Sequence, residues 1–517
     1  MPKNRESLKS EIELQQAILR EKARGTSDVE IGEKFGVSYK YIEKVITRAK
    51  GINVSNLNVK KRIRYLEPKN FELEATSVWS FRQRGDWATH SGEYRGNYSP
   101  YIPRNIILRY SRPGELVLDM FCGAGTTAIE AKLLGRRCIA ADINEKAIEL
   151  AKENVNFDLN LLPFPDEEQK KYFEPELLVK DARDLSWLRD ESVDLICTHP
   201  PYANIIQYTD NREADLSFLD FDDFLPEMKK VARECFRVLK PGRQCALLIG
   251  DARKHKHVVP LGFKLINVYL EAGFYLRELI IKRQHNCKTT GFWYKKSIEN
   301  NFLLLAHEYL PVFEKPVKQS GTKKVKEQLT SLAVWKKRVP RVPELMTLET
   351  TTVWIFPDKE RELLLARNIV DRYAKGDKYI CLDITIGSDE EKQVQAGKSR
   401  DNYYLLWIKS SLLSEGYLQY NHVDYLAALK ETITRFKSLL ISDGYLVLET
   451  RDVRVHEYLV PMAKLIIDLI NDQDLWLKEI VVVTSNGKEN AYEHSLPSAN
   501  HGNLSIVHSY IIVYKKI

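Results

Sequence analysis

No apolar run in this 517-residue chain approaches the ~20 residues needed to cross a bilayer. A helical membrane span is therefore excluded, and no membrane partner is expected. Residues 1–6 are polar and lead into a charged helical stretch, without the apolar core of a secretory leader. A cytoplasmic location follows as the expectation. The seven cysteines (122, 138, 197, 235, 245, 287 and 381) contain no Cys-x-x-Cys pair, and most sit in apolar contexts. That argues against a zinc site or a disulfide framework, so no metal is expected. Cys122 lies in a glycine turn, where a small polarizable side chain suits the packing better than it argues for a nucleophile. A complete Gly-x-Gly-x-x-Gly fingerprint is also missing, which points away from dinucleotide oxidoreductases.

The length implies two or three domains, and 44% hydrophobic with 29% charged residues is ordinary for globular material. The net charge of +7 is unevenly placed. Residues 1–70 hold 16 Lys and Arg against 9 Asp and Glu, so the rest of the chain sums to zero. Residues 315–341 hold nine basic residues against one acid. Charge concentrated in an arm and a linker is the footprint of a partner carrying phosphates; a solvated face and a soluble linker would leave the same trace.

Residues 11–50 read as a small helical unit. Ile12, Leu14, Ala17, Ile18 and Leu19 are spaced for one amphipathic helix. Ser27 with Glu30 forms a capping box for a second short helix, which Gly36 ends. Ser38 caps a third, 39–50. Ile31, Phe35, Val37, Ile42, Val45 and Ile46 would form its buried seam. The layout resembles a helix-turn-helix whose recognition helix carries Lys40, Lys44, Arg48 and Lys50 on its polar side, as predicted DNA contacts. A helical hairpin that packs on the rest of the chain, or dimerises, is the other reading.

Residues 71–314 alternate strand and helix signals. Strands are predicted at 116–121, 138–142, 177–180, 194–198, 244–250, 275–283 and 302–310. Helices are predicted at 126–134, 144–156, 223–239 and 260–272, with Lys240-Pro241-Gly242 ending the third. Such alternation implies an α/β fold with a doubly wound, largely parallel Rossmann-like sheet. Residues 346–517 repeat the pattern in degraded form. Thr351-Thr352-Val353-Trp354 echoes Thr76-Ser77-Val78-Trp79, Cys381-Leu382-Asp383 echoes Val117-Leu118-Asp119, and Asp452-Val453-Arg454 echoes Asp251-Ala252-Arg253. The copy offers no second glycine after Gly387 and no Pro-Pro-Tyr, so it should be catalytically silent. The expected division is 1–70, a basic helix-turn-helix-like arm; 71–314, catalytic; 315–345, a basic linker; and 346–517, a degenerate second α/β copy.

Two motifs carry chemistry. In Leu118-Asp119-Met120-Phe121-Cys122-Gly123-Ala124-Gly125-Thr126-Thr127 a strand ends in an acid. Two glycines then let backbone approach a charged ligand at a helix N-terminus, which Thr126 and Thr127 can cap. Asp142 closes the next strand, where an acid can accept both ribose hydroxyls. Asp181 follows the third, placed to accept from an adenine amino group. The second motif is Asp194-Leu195-Ile196-Cys197-Thr198-His199-Pro200-Pro201-Tyr202. An exocyclic base amine is a poor nucleophile because its lone pair is delocalised into the ring. Two acceptors can pull it toward tetrahedral geometry: here the His199 side chain and the Pro200 carbonyl. Pro200 and Pro201 stiffen the loop, and Tyr202 offers a face on which an extruded base can stack.

These residues make 76–310 resemble the amino-directed DNA methyltransferases, which act on N4 of cytosine or N6 of adenine with S-adenosylmethionine. The likeness runs through Phe121–Thr127 (Phe-x-Gly-x-Gly-Thr-Thr), Asp142 and the Pro-Pro-Tyr loop. Upstream, 85–90 and 94–103, ending at Pro103, are similar to the family segment that contacts the methionine end of the cofactor. The resemblance implies Asp119, Phe121, Gly123, Gly125, Thr126, Thr127, Asp142, Asp181 and Pro103 as cofactor residues, and duplex DNA as partner. It also implies restriction–modification or epigenetic marking, with a restriction endonuclease as a further partner. A chain that already imitates a dimer favours a monomer. One departure stands out: the residue before Pro-Pro is usually Ser, Asp or Asn, and here it is His199. A neutral imidazole can accept one hydrogen bond and an imidazolium none, so activity should fall as pH drops through ~6.5. Thr198 is similar to the Thr-Ser-Pro-Pro-Tyr form of the cytosine enzymes and tilts the expectation to N4 of cytosine. Two other readings stay open. One is an RNA methyltransferase acting on N2 of guanine. The other is a non-catalytic DNA-binding regulator. The helix-turn-helix favours duplex DNA, because the major groove of A-form RNA is too narrow for a helix.

Overall fold

The computed structural model describes residues 5–24, 26–38, 41–42, 45, 63, 65–92, 94, 96–157, 171–203, 215–254, 256–285, 290–317, 332–337, 339, 348–386, 402–413, 415–485 and 502–517. Two mixed sheets form its core. The first contains β1 (Val78–Ser80), β2 (Leu116–Asp119), β3 (Arg137–Asp142), β4 (Glu176–Val179), β5 (Val193–Thr198) and β6 (Leu239–Leu247). After the hairpin of β7 (Ala252–Lys254) and β8 (His257–Val259) come β9 (Tyr275–Arg283) and β10 (His307–Glu314). The order is β1-β9-β10-β6-β5-β2-β3-β4. Only β10 runs antiparallel to its neighbours, so the C-terminal ends of the others share one edge.

Helices α1 (Arg5–Ala23) and α2 (Asp28–Phe35) precede β1. The capping box of Ser27 and Glu30 is present, and Gly36 ends α2 at φ 62°. Ile18, Ile31, Ile42 and Val45 bury one another there. Lys40, Lys44, Arg48 and Lys50, the predicted DNA contacts, lie outside the described residues. The sheet is covered by α3 (Tyr101–Tyr110), α4 (Thr126–Leu133), α5 (Glu145–Val155), α6 (Phe221–Val238) and α7 (Leu261–Glu271), and α8 (Thr290–Glu299) follows β9. No helix among the described residues is long and apolar enough to cross a membrane.

Two boundaries differ from the sequence expectation. Lys240-Pro241-Gly242 was expected to end a helix; α6 already stops at Val238, and these residues open β6, where Gly242 at φ 75° donates to the Lys315 carbonyl at 2.7 Å. The strand expected at 302–310 begins only at His307. Residues 302–305 are apolar because they cross to the other half, where the Leu304 amide donates to Thr350 at 2.9 Å and Leu303 buries beside Trp354.

That other half holds β11 (Leu332–Lys337), β12 (Val353–Phe356), α9 (Arg361–Tyr373), β13 (Tyr379–Ile386), β14 (Tyr403–Ser410), α10 (Glu415–Phe436) and β15 (Leu440–Thr450). The hairpin of β16 (Val453–Val455) and β17 (Tyr458–Val460) follows, then α11 (Met462–Leu469), β18 (Leu475–Ser485) and β19 (His508–Lys516). Its order, β12-β18-β19-β15-β14-β13 and then an antiparallel β11, matches β1-β9-β10-β6-β5-β2 strand for strand. It is a second, degenerate α/β copy. The strand register corrects one echo. Leu118 pairs with Ile196 as Ile380 pairs with Leu406, so Cys381 and not Asp383 occupies the place of Asp119. The local likeness misled by two residues, a shift that keeps every side chain on its own face of a strand.

The two copies meet about a pseudo-two-fold axis, and their reciprocal contacts are 201 residues apart. Arg253 pairs with Glu479, and Glu479 accepts from the Leu303 amide at 3.1 Å. Arg454 pairs with Glu278, and Glu278 accepts from the Leu504 amide at 3.1 Å. His307 bridges Thr352 and Tyr309, while His508 bridges Ser77 and Tyr510. Burial holds both Glu278 and Glu479 above the usual carboxylate range, against the pull of their arginines. Truncating one partner strands a buried charge. Glu479→Ala and Glu278→Ala should therefore each cost about 3–5 kcal/mol, read as the loss in unfolding free energy in urea, while a surface control such as Glu431→Ala changes little.

Candidate active site

The C-terminal edge of the first sheet carries an open pocket. Its wall includes Phe121 and Gly123 from the glycine turn, Asp142 at the end of β3, Asp181 after β4, and His199 and Pro201 after β5. The two sequence motifs, 76 residues apart at Gly123 and His199, thus face one cavity because β2 and β5 are adjacent parallel strands. A further part of the wall comes from Asp215 and Leu216, and another from Tyr94, Gly96, Asn97 and Tyr98. That segment is held on α4 by a buried cluster in which Glu130 accepts from Trp87 Nε1 (2.6 Å) and Arg104 (3.0 Å) and bonds His90 Nε2 (2.7 Å).

Asp119 does not line the pocket. Its buried carboxylate accepts from Thr198 Oγ1 (2.6 Å), Thr127 Oγ1 (2.6 Å) and the Phe121 amide (3.1 Å), and burial pushes it up to about 6. The threonines are not helix caps. The N-cap of α4 is Gly125, without a side-chain cap bond, and Thr126 Oγ1 donates to Asn97. Gly125 sits at φ 83°, and a Cβ there would come 3.1 Å from that of Ala151, so it serves the approach of α5 to α4. Gly123, at φ 50°, is the glycine at the cavity: a Cβ would meet the Tyr94 ring at 2.9 Å. Pro103 is buried in α3, outside the pocket lining. The Cys122 thiol is buried, and burial with nearby Asp142 and Asp119 pushes it well above its usual range. It is a protonated packing group.

Asp142 accepts from the Gly123 and Asn144 amides, each at 2.9 Å, which aims the carboxylate along the pocket wall; burial raises it to about 6. Asp181 is less free than expected. Arg183 grips both its oxygens, at 3.0 Å from Nε and 2.6 Å from Nη2, and is itself held by Glu227 at 2.8 Å. His199 is held down to about 4, chiefly by burial and further by the Lys282 charge, against the opposing pull of Glu308 and the Gly96 carbonyl. Its ring is therefore neutral at ordinary pH. Nε2 lies 2.9 Å from the Tyr202 hydroxyl. The Tyr202 ring packs over Gly250, where a Cβ would meet it at 2.9 Å, and lies outside the pocket lining. Pro200 is buried behind the loop.

Sequence reasoning missed Glu308 and Lys282. Glu308 receives the Tyr202 hydroxyl at 2.9 Å from 106 residues away, and no local pattern marks such a distance. In the second copy, sheet register places Lys409 where His199 stands, Ser410 and Ser411 at the prolines and Leu412 at Tyr202. If Asp119 is a staple and not a ligand contact, Asp119→Ala should cost about 1–3 kcal/mol of stability without any ligand present, measured by thermal or urea unfolding.

A family model described as DNA methylase matches residues 5–153 and 193–374. A second, described as a methyltransferase domain, matches 111–268. The tRNA (guanine(10)-N2)-dimethyltransferase of Methanothermobacter thermautotrophicus is 37% identical over 111 residues, 21% of this chain and 29% of that protein. Type II methyltransferase M.MthZI of Methanothermobacter thermautotrophicus is 28% identical over 154 residues, 26% of this chain and 43% of that protein. The tRNA (guanine(6)-N2)-methyltransferase of Thermus thermophilus is 31% identical over 196 residues, 37% and 51%. This chain thus spans about half or less of the length of these relatives. Similar solved structures include TrmN from Thermus thermophilus, at 24% identity, 43% and 50% coverage and TM-score 0.28. Another is a SAM-dependent methyltransferase from Methanosarcina mazei, at 19% identity, 41% and 98% coverage and TM-score 0.28.

Proposed function

This chain belongs to the DNA methylase family, and from that premise we propose that it methylates an exocyclic amine of a base swung out of duplex DNA, with S-adenosylmethionine as donor. The observation that carries the reading is the single cavity walled by both the glycine turn and the His-Pro-Pro loop. The residues present fit the cofactor. Gly123 leaves bare backbone where a side chain would collide with Tyr94. Asp142 has lone pairs left for a ribose diol after its two amide bonds. Arg84, pushed down to about 10 by burial, donates Nη2 to the Tyr98 carbonyl at 3.1 Å and so braces the segment that lines the pocket. The bound cofactor supplies an electrophilic methyl group on a sulfonium. The chain supplies the rest: Asp181, beside its bonds to Arg183, and Phe121 would hold the adenine, and Pro201 stiffens the loop. His199 and the Pro200 carbonyl would accept the amine's N–H hydrogens, so that its lone pair localises on nitrogen; as the nitrogen takes the methyl group the donor sulfur keeps the electron pair of the broken bond, and the surplus amine proton leaves to water.

Of the two amines, N4 of cytosine is the one proposed, on Thr198 before His199. The arm with Lys40, Lys44, Arg48 and Lys50 is proposed to hold the duplex as a helix-turn-helix. The second copy, joined by the pseudo-two-fold interface, supports a monomer, and restriction–modification with a partner endonuclease is the setting proposed. A tRNA N2-guanine activity is the second reading, favoured by two of the relatives. Filter binding of duplex DNA against tRNA, followed by methylation-sensitive sequencing of DNA from a host expressing the chain, decides between them. Methylated tRNA with unmodified DNA would overturn the leading reading.

Two outcomes are expected. Because His199 is an acceptor only when neutral and is held at about 4, kcat should stay level down to pH ~5 and fall only below that. The acid limb expected near ~6.5 from an unperturbed histidine is thus displaced by burial. Full activity in His199→Phe, or a rate that stays level well below pH 4, would remove His199 from the step. Separately, replacing Lys40, Lys44, Arg48 and Lys50 with Ala should flatten the dependence of log K on log salt by ~0.9 for each phosphate no longer neutralised; an unchanged slope would place the DNA elsewhere.

A further inference from the structure

We propose that Lys282 and Glu308, acting through Tyr202, order the hydrogen on His199 so that its Nδ1 lone pair faces the substrate amine; this rests on the methyl-transfer reading. Lys282 and Glu308 are directly opposed residues of β9 and β10. Lys282 Nζ donates to Glu308 Oε2 at 2.8 Å, and the Tyr202 hydroxyl lies 2.9 Å from Oε1. A carboxylate paired with an ammonium only accepts. The one hydroxyl hydrogen of Tyr202 therefore goes to Glu308, and the hydroxyl oxygen can only accept in turn. The group facing it is His199 Nε2, at 2.9 Å. A neutral imidazole carries a single hydrogen. With that hydrogen on Nε2, the lone pair is on Nδ1. The Gly96 carbonyl accepts from the ring and so favours its protonated form; both residues line the pocket, where a lone pair on Nδ1 can receive one hydrogen of an exocyclic amino group.

The second copy supplies an internal control. At the same 201-residue spacing it keeps the interface partners: Asp251 and Asp452, Arg253 and Arg454, Glu278 and Glu479, His307 and His508, Tyr309 and Tyr510. At that spacing Lys282 becomes Val483, Glu308 becomes Ser509 and Gly250, over which Tyr202 packs, becomes Arg451. His199 and Tyr202 are replaced by Lys409 and Leu412 through the strand register. All members of the relay are missing together where the Pro-Pro-Tyr loop is missing, while the packing contacts persist. A pair serving only sheet stability would have no reason to follow the loop.

Lys282 and Glu308 are thus positioning residues. The test is a pair of readouts on Glu308→Leu in the full chain. Histidine 15N spectra, with His199 assigned from its loss in His199→Asn, should show the Nε2–H tautomer in the parent protein and a shift to Nδ1–H in the variant, where the Tyr202 hydroxyl hydrogen is no longer directed to Glu308. Cofactor affinity should stay within ~2-fold and kcat should fall ~10-fold or more. An unchanged tautomer, or unchanged kcat in the folded variant, overturns the proposal. If Glu308→Leu does not fold, Lys282→Met serves. The groups facing Glu308 are Lys282, His199 and Tyr202, with His307 adjacent. Loss of the ammonium should raise the acid limb of kcat by one pH unit or more, and an unmoved limb overturns the relay. A parent chain that methylates no nucleic acid would sink the methyl-transfer reading, while the tautomer measurement still decides the relay.

Discussion

The Asp119 carboxylate, buried at the end of β2, accepts from Thr127 at the start of α4 and from Thr198 at the end of β5. Those two bonds tie the glycine turn to the loop bearing His199, so the two motifs cannot drift apart without stranding an acid in the core. The pocket is a consequence of that tie. Tyr98, whose hydroxyl meets Thr127, extends it to the upstream segment, and Glu130 clamps that segment from behind through Trp87, His90 and Arg104. The cavity wall is therefore set by buried acids that never face it.

The second copy is related to this arrangement through a different set of acids. Glu278 and Glu479 each accept from an arginine and a backbone amide of the opposite half. Leu304 bridges Thr351 just before β12, and Ser505 bridges Thr76 just before β1, each in the other half. Burial makes these pairs costly to break and not strongly favourable to form, so they specify one docking of the two halves. The copy keeps the interface and has lost the loop. What remains is a folded surface beside the first sheet.

Much of the site was legible because its chemistry is local. The glycine turn, Asp142 and the Pro-Pro-Tyr loop each occupy a few consecutive residues at the end of one strand, where backbone geometry alone decides what the side chains can reach. Roles within those motifs were less legible. Thr126, Thr127 and Gly125 look alike as ligand-facing residues in one dimension, yet they bond Asn97 and Asp119 or make room for Ala151. Asp181 was legible as an acid at the right strand end but not as a partner of Arg183.

The linear order of residues by itself determined the reaction chemistry on offer, the alternation of strand and helix, and the existence of a second copy, because each is written in short patterns or in their repetition. Only the tertiary structure decided which residues share the cavity. It brings Glu308 and Lys282 behind Tyr202 from adjacent strands, and it holds His199 neutral by burying it. It also aligns Cys381, not Asp383, with Asp119. Sheet pairing and burial act between residues far apart along the chain, 79 positions for Asp119 and Thr198 and 106 for Tyr202 and Glu308, and those separations leave no mark on the neighbouring sequence.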